Sequence, residues 1–318
     1  MTARSAAGSL ARLGYPPEAA DLPVDSPLRF PDGASFRIEI PSVEGPAVLE
    51  AVLAAGREYG VTVNRVSQGS GAGLLLESQL REMASIGSEA GLEISLFVGP
   101  RGGWDIGAHA RSADGAAHFG HLRGMRQLAY ATEDVLRAID CGIRSFLVAD
   151  PGHLTVLVAM QGAGEIPAEV VWKISVLAGG TNPATMRLLE TLGASTANIP
   201  SDTTLGQLAE MRAVVGLPID LYLESPDSLG GVVRGHEIAD FVRVGAPLYA
   251  KFGLRNSRNL YPAGEHLADD ARSIAREKVR RAAVALEWLA RSGTGAIQST
   301  PGAAGLGLPV VGRRVSTA

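Results

Sequence analysis

The chain has a single cysteine, Cys141, in 318 residues. One thiol excludes an internal disulfide framework and any cysteine-only metal or iron–sulfur site. Its place at a helix end, just before a strand, marks it as a small buried side chain. Long hydrophobic runs are missing too: no uncharged apolar stretch reaches the ~18–20 residues of a membrane-spanning helix. Excess positive charge is also absent. With 29 Lys and Arg against 33 Asp and Glu, the formal charge is −4, which argues against a nucleic-acid partner. Arg4 and Arg12 stand near the start, but no apolar signal-peptide core follows them, so the expected location is the cytoplasm.

What is present is apolar content of 46%, ample for a large core, and a repeated beat. A short apolar run ends in polar residues and gives way to a helix-patterned stretch. The expected strands are Phe36–Ser42, Val61–Ser67, Glu93–Gly99, Arg144–Asp150, Val170–Leu177, Ser195–Ile199, Ile219–Glu224 and Pro247–Phe252. Helices are expected over Pro46–Tyr59, Leu75–Ala90 and His118–Ile139, then from His153, Asn182, Ser201 and His236, with a long charged one over Asp269–Ser292. Strands alternating with helices give an α/β fold with parallel, right-handed connections. Eight such units indicate one (β/α)8 TIM barrel over 36–293, with an N-terminal arm or bottom plug over 1–35. The last stretch, 294–318, is rich in Gly, Pro, Ser and Thr and is expected as a flexible tail.

A TIM barrel carries its chemistry at the carboxyl ends of its strands. Side chains alternate between faces along a strand, and charged ones inside are costly unless paired, so they are informative. Lys173 shares a face with Ser175; Asp220, Tyr222 and Glu224 share another; Tyr249, Lys251 and Arg255 a third. Glu39, Arg65 and Asp150 complete the set. A lysine stripped of water has a lowered pKa, and its free amine can form a Schiff base or take a proton. Lys173, Lys251, Glu224 and Asp150 are therefore the candidate catalytic residues. The alternative is a structural ion-pair layer joining Lys173 to Glu39, or Lys251 to Glu224.

The loops supply candidate substrate contacts. Gln68-Gly-Ser-Gly-Ala-Gly follows a strand and opens a helix, as an anion cradle does, although Leu74 breaks the dinucleotide spacing. Glu44 and Arg65 flank that region. Ser225–Gly231, with Arg234 after it, occupies the position where many barrels hold a phosphate. The long stretch Pro100–Ala117 reads as a lid or binding loop, with Arg101 as a carboxylate or phosphate clamp. His153, Asn182, Asp202, Arg255 and Asn256 stand just beyond other strands. His118 and His121 have the i, i+3 spacing of a metal face but no third ligand, so no metal ligands are assigned and a divalent cofactor stays open. Gly-x-Ser-x-Gly, His-Glu-x-x-His and Walker motifs do not occur.

Two stretches, IEIPSVEGPAVLEAVLAAGREYGVTVNRVSQGSG (38–71) and ANIPSDTTLGQLAEMRAVVGLPIDLYLESP (197–226), resemble the collagenase-like peptidase family called U-thirty-two. The resemblance implies a barrel and a peptidase-type hydrolase, and it covers about a fifth of the chain. The family's histidine–glycine after its acidic-aromatic strand is Glu224-Ser225 here, and its cysteine cluster is absent. No iron–sulfur cluster is therefore expected. The sequence leads to an enzyme acting on a small anionic or carbonyl metabolite, of lyase, isomerase or hydrolase type, with a non-catalytic partner subunit as the other class. A homo-oligomer is compatible with the long last helix.

Overall fold

The structure, a computed structural model, describes residues 6–19, 24–99, 101, 104–105 and 107–311. The strands are β1 (Phe36–Pro41), β2 (Arg65–Gln68), β3 (Glu93–Phe97), β4 (Ser145–Val148), β5 (Val171–Ile174), β6 (Thr196–Asn198), β7 (Ile219–Glu224) and β8 (Leu248–Phe252). They pair in chain order, all parallel, and β8 closes on β1. This is a (β/α)8 TIM barrel. A short α1 (Ala6–Arg12) precedes it. The barrel helices are α2 (Pro46–Tyr59), α3 (Glu77–Ala90), α4 (Gly124–Asp140), α5 (Pro151–Gly162), α6 (Pro183–Thr191), α7 (Leu205–Arg212), α8 (Ile238–Gly245) and α9 (Ala268–Ser292).

Local chemistry sets the helix ends. Pro46 opens α2, where a missing N–H costs nothing, and Gly60 ends it at φ +66°, a conformation that penalises a Cβ. Asp150 caps α5 by accepting from the His153 amide, and Asn182 caps α6 by accepting from Thr185. α4 begins at Gly124 rather than at His118, because His118 closes a single 3-10 turn, Ala116–His118.

Alternation along the strands builds two layers. Ile38, Ile40, Ile94, Leu96, Phe146 and Trp172 face the helices and are fully buried with α2, α3 and α5 residues such as Leu49, Leu80 and Leu157. Removing the Trp172 side chain would cost about 3–5 kcal/mol. The opposite faces, pointing into the barrel, are polar.

The stretch expected as a flexible tail packs against the barrel as far as residue 311; residues 312–318 lie outside those described. Gln298 bridges to Phe36, Gly307 donates to Glu93 at 3.2 Å, and Val310 donates to the Gly142 carbonyl at 2.8 Å. The segment closes the bottom of the barrel by backbone pairing and needs little apolar area. Arg37 ties it in, donating to Ser299 Oγ at 2.9 Å and the Ala304 carbonyl at 2.6 Å. The end of the N-terminal segment joins the same plug: Phe30 packs edge-on against Tyr249, with Arg37 over its ring.

Candidate active site

Glu39, Arg65, Glu93, Lys173, Asp220 and Lys251 converge inside the barrel as three acids and three bases, all buried. The ladder register explains the grouping, since Glu39 stands beside Arg65 and Lys251, Arg65 beside Glu93, and Lys173 beside Thr196. Arg65 is the hub. Its Nε donates to Glu39 Oε2 at 2.7 Å, one terminal nitrogen pairs with Asp220, and the other lies 3.6 Å from Glu93. The Tyr249 ring lies against the guanidinium at 3.4 Å. The Lys173 ammonium nitrogen pairs with Glu39 Oε1. Lys251 Nζ is 3.4 Å from that oxygen, bonds to Asn198 Oδ1, and sits 4.3 Å from the Tyr222 ring centroid.

Burial alone would raise the Glu39 carboxyl, but Arg65, then Lys173 and Lys251, outweigh it and hold the group well below the usual carboxylate range. Lys173 goes the other way. Loss of hydration and the neighbouring Arg65 charge lower it to about 7, although Glu39 opposes them. Tyr222 is pushed upward by burial and by the Glu39 and Asp220 charges, so its phenol stays protonated.

Of the 29 basic residues only Lys173, Lys251 and Lys278 are lysine, and all three are buried. Every exposed basic side chain among the described residues is arginine or histidine. Arginine does not deprotonate in proteins, whereas lysine does so readily when buried. Lys278, on α9, escaped the sequence reading. Its ammonium donates to the Pro41 carbonyl at 2.8 Å, and burial lowers it to about 7 against the pull of Glu44. The signal was there, since Lys278 lies on the Ala271, Ala275, Ala282 stripe of an otherwise charged helix. Glu93 was legible too, from its alternation with Ser95 and Phe97.

Above the network a cavity of about 330 Å³ opens among the β5, β6 and β7 ends. Val176, Ile199, Pro200, Leu229 and Val232 wall it, and Asp202 is its charged lining residue. Tyr222 borders both this cavity and Lys251. Elsewhere the mouth is roofed. Arg101 is buried, stacked between Phe97 at 3.5 Å and Trp104 at 4.4 Å, and donates to the Gly69 carbonyl. Among the described residues its Nε is buried without an acceptor, and burial lowers the guanidinium to about 10. Tyr261 covers the other side of Gly69 and bonds to Ser42 Oγ at 2.6 Å.

Several expected site residues lie elsewhere. A register shift between Tyr222 and Glu224 turns Glu224 out of the barrel, beside Phe252. Its carboxylate takes the Arg255 amide at 3.1 Å and lies 3.7 Å from Arg281 of α9, so it cannot pair with Lys251. Asp150 is half-buried and holds the Leu122 and His153 amides. His153 is sunk among α4 and α5, 3.2 Å from Thr132 Oγ1, and burial lowers it to about 4. Gln68 folds back on Gly71, while Glu44 takes the amides of Gly69 and Ser70, so the Gly-rich loop cradles the protein's own carboxylate. Burial raises the Glu44 carboxyl despite those bonds. Asn182 serves as a cap, Arg255 is exposed 3.8 Å from Asp227, and the Asn256 amide donates to Asp227. Arg234 turns to the Thr203 carbonyl and the Phe241 ring. His118 packs against both His109 and His121. Among the described residues no group of three His, Cys, Asp or Glu converges as a metal ion needs, and no helix is long and apolar enough to cross a membrane.

No family model matches the chain, and no curated protein matches it. Among solved structures it is similar to a U32 peptidase, at 17% identity over 69% of this chain and 78% of that one, with a TM-score of 0.38. It is similar to a native KDPGal structure at 12% identity, over 82% of this chain and 100% of that one, with a TM-score of 0.43. A truncated 3-deoxy-D-arabino-heptulosonate 7-phosphate synthase from Thermotoga maritima gives 13% identity, 87% and 96% coverage and 0.44. The likeness to all three is loose, and the assignment of the barrel rests on its own closed strand order.

Proposed function

We propose that the chain is a TIM-barrel enzyme of lyase or isomerase type, acting through lysine on a small carbonyl-containing metabolite. The observation that carries this reading is the placement of lysine. The chain uses three, all buried, and two of them share one carboxylate oxygen inside the barrel. Lys251, at 3% exposure, is the one bordered by the cavity's Tyr222.

Nucleophilic attack needs a neutral amine. Lys173, in the neutral amine form that its lowering to about 7 makes available, accepts the proton that Lys251 gives up through Glu39 Oε1, which both nitrogens face. The Lys251 nitrogen then bonds to the carbonyl carbon, and the carbonyl oxygen, taking one proton from the attacking nitrogen and the one Lys173 accepted, departs as water to leave an iminium. Tyr222, kept protonated, donates a hydrogen bond to that oxygen as its ring swings aside. Arg101, with a buried Nε lacking an acceptor, offers one contact to a negatively charged group.

Borohydride reduction in the presence of a carbonyl panel tests the reading. It predicts a mass adduct on the peptide containing Lys251, lost in Lys251→Met. A panel that leaves Lys251 unmodified contradicts it. Two observations favour a second reading, a non-catalytic partner subunit: the roofed mouth and the mutual pairing of the six charged groups describe a sealed core as well. The peptidase-type reading gains nothing here, since Glu224 faces α9.

A further inference from the structure

We infer that the cavity beside Tyr222 receives an uncharged, apolar group of the substrate, branched alkyl or aryl, and that the substrate carries no phosphate there. This rests on the reading of the barrel mouth as a substrate site.

A phosphate held at this end of a barrel needs free backbone N–H groups or cationic side chains. Here the amides of Leu229 to Val232 are occupied. Leu229 and Gly231 donate to the Pro226 carbonyl, Gly230 to Asp227, and Val232 to Ser225 Oγ at 3.1 Å. Beyond β8 the amides of Arg255 and Asn256 hold the carboxylates of Glu224 and Asp227. The Gly-rich loop repeats the pattern with Glu44 on Gly69 and Ser70. Three of the protein's own carboxylates thus fill places where a ligand phosphate would bind. Each would have to be displaced, at the cost of a charge-assisted bond.

The walls point the same way. Five apolar residues and the Tyr222 ring line the cavity, and its charged lining residue is the acid Asp202. Arg234, the basic residue that this loop supplies, does not line the cavity: it stacks on Phe241 and donates to Thr203 at 2.8 Å, and its Nε and second terminal nitrogen are buried. An apolar group released from water gains free energy in proportion to the area it buries, whereas a phosphate beside Asp202 would meet repulsion.

The test is methyl and amide NMR of the full chain with benzyl alcohol, benzyl phosphate and inorganic phosphate, none of which reacts with lysine. Benzyl alcohol is expected to shift the Val176, Ile199, Leu229 and Val232 methyls, and Val232→Trp to abolish that response. Neither phosphate should move the Leu229–Val232 amides. Asp202→Lys, at the exposed rim, should tighten benzyl phosphate binding by about tenfold without unfolding the protein. Phosphate shifting those amides in the native chain overturns the inference, and so does a cavity silent to benzyl alcohol. Because no amine chemistry enters, these outcomes are separate from adduct formation on Lys251.

Discussion

Lys173 pairs with the same Glu39 oxygen, Oε1, that stands 3.4 Å from the Nζ of Lys251. One buried carboxylate therefore serves two ammonium groups, with Arg65 on its other oxygen at 2.6 Å. Glu39→Gln would leave the cations in excess, and a loss of about 3–5 kcal/mol in urea unfolding is expected. Lys173→Met in that background should recover part of the loss, with a coupling of at least about 1 kcal/mol. Strict additivity would show that the two groups act independently.

His153 predicts acid sensitivity. Its folded pKa is lowered to about 4 by burial, so between the ordinary histidine range and pH 4 the unfolded chain binds a proton that the folded chain refuses. Stability is lost as pH falls through that window, on the order of 3 kcal/mol in all. His153→Gln should flatten the slope of melting temperature against pH from 6.5 to 4. An unchanged slope would place the titrating group elsewhere.

Gly69 is where the two halves of the roof meet. A Cβ there would stand 2.3 Å from the Tyr261 ring, so Gly69→Ala should push Tyr261 away from Ser42. Hydrogen exchange is expected to rise in residues 254–264 while β1 to β8 keep their protection. If exchange across 254–264 matches the parent chain, Tyr261 is not held against Gly69.

Removing residues 296–318 should destabilise the barrel from below, because Arg37, Asn64 and Glu93 each lose a partner. A fall in melting temperature of about 5 °C or more is expected, from several buried polar groups left unpaired at about 1–3 kcal/mol each. A truncated chain as stable as the parent would return this segment to the role of a loose tail.

The strand beat made the barrel legible, because each apolar run records the face packed on the helices. The polar interior was legible for the same reason, down to the pairing of Lys173 with Glu39. Glu224 was misplaced because alternation carries no mark for the irregularity that turns it outward. The Gly-rich loop has the form of an anion cradle, but its Gly69 and Ser70 amides are taken by Glu44, a partner that only tertiary structure supplies. The packing of 296–311 under the barrel was not legible, because it comes from backbone hydrogen bonds and Arg37, neither of which composition records. Lys278 is marked only by its place on the buried Ala271, Ala275, Ala282 stripe of a charged helix.

Whether the barrel interior holds an uncharged amine at neutral pH is decided most directly by a pH titration of the chain labelled with 15N at lysine Nζ. Only three signals arise, assigned by Lys173→Met and Lys278→Met. The Lys173 and Lys278 signals are expected to turn over near pH 7. Ammonium signals that persist unchanged to about pH 10, the ordinary lysine range, would contradict the proposed proton acceptor and the lysine chemistry built on it.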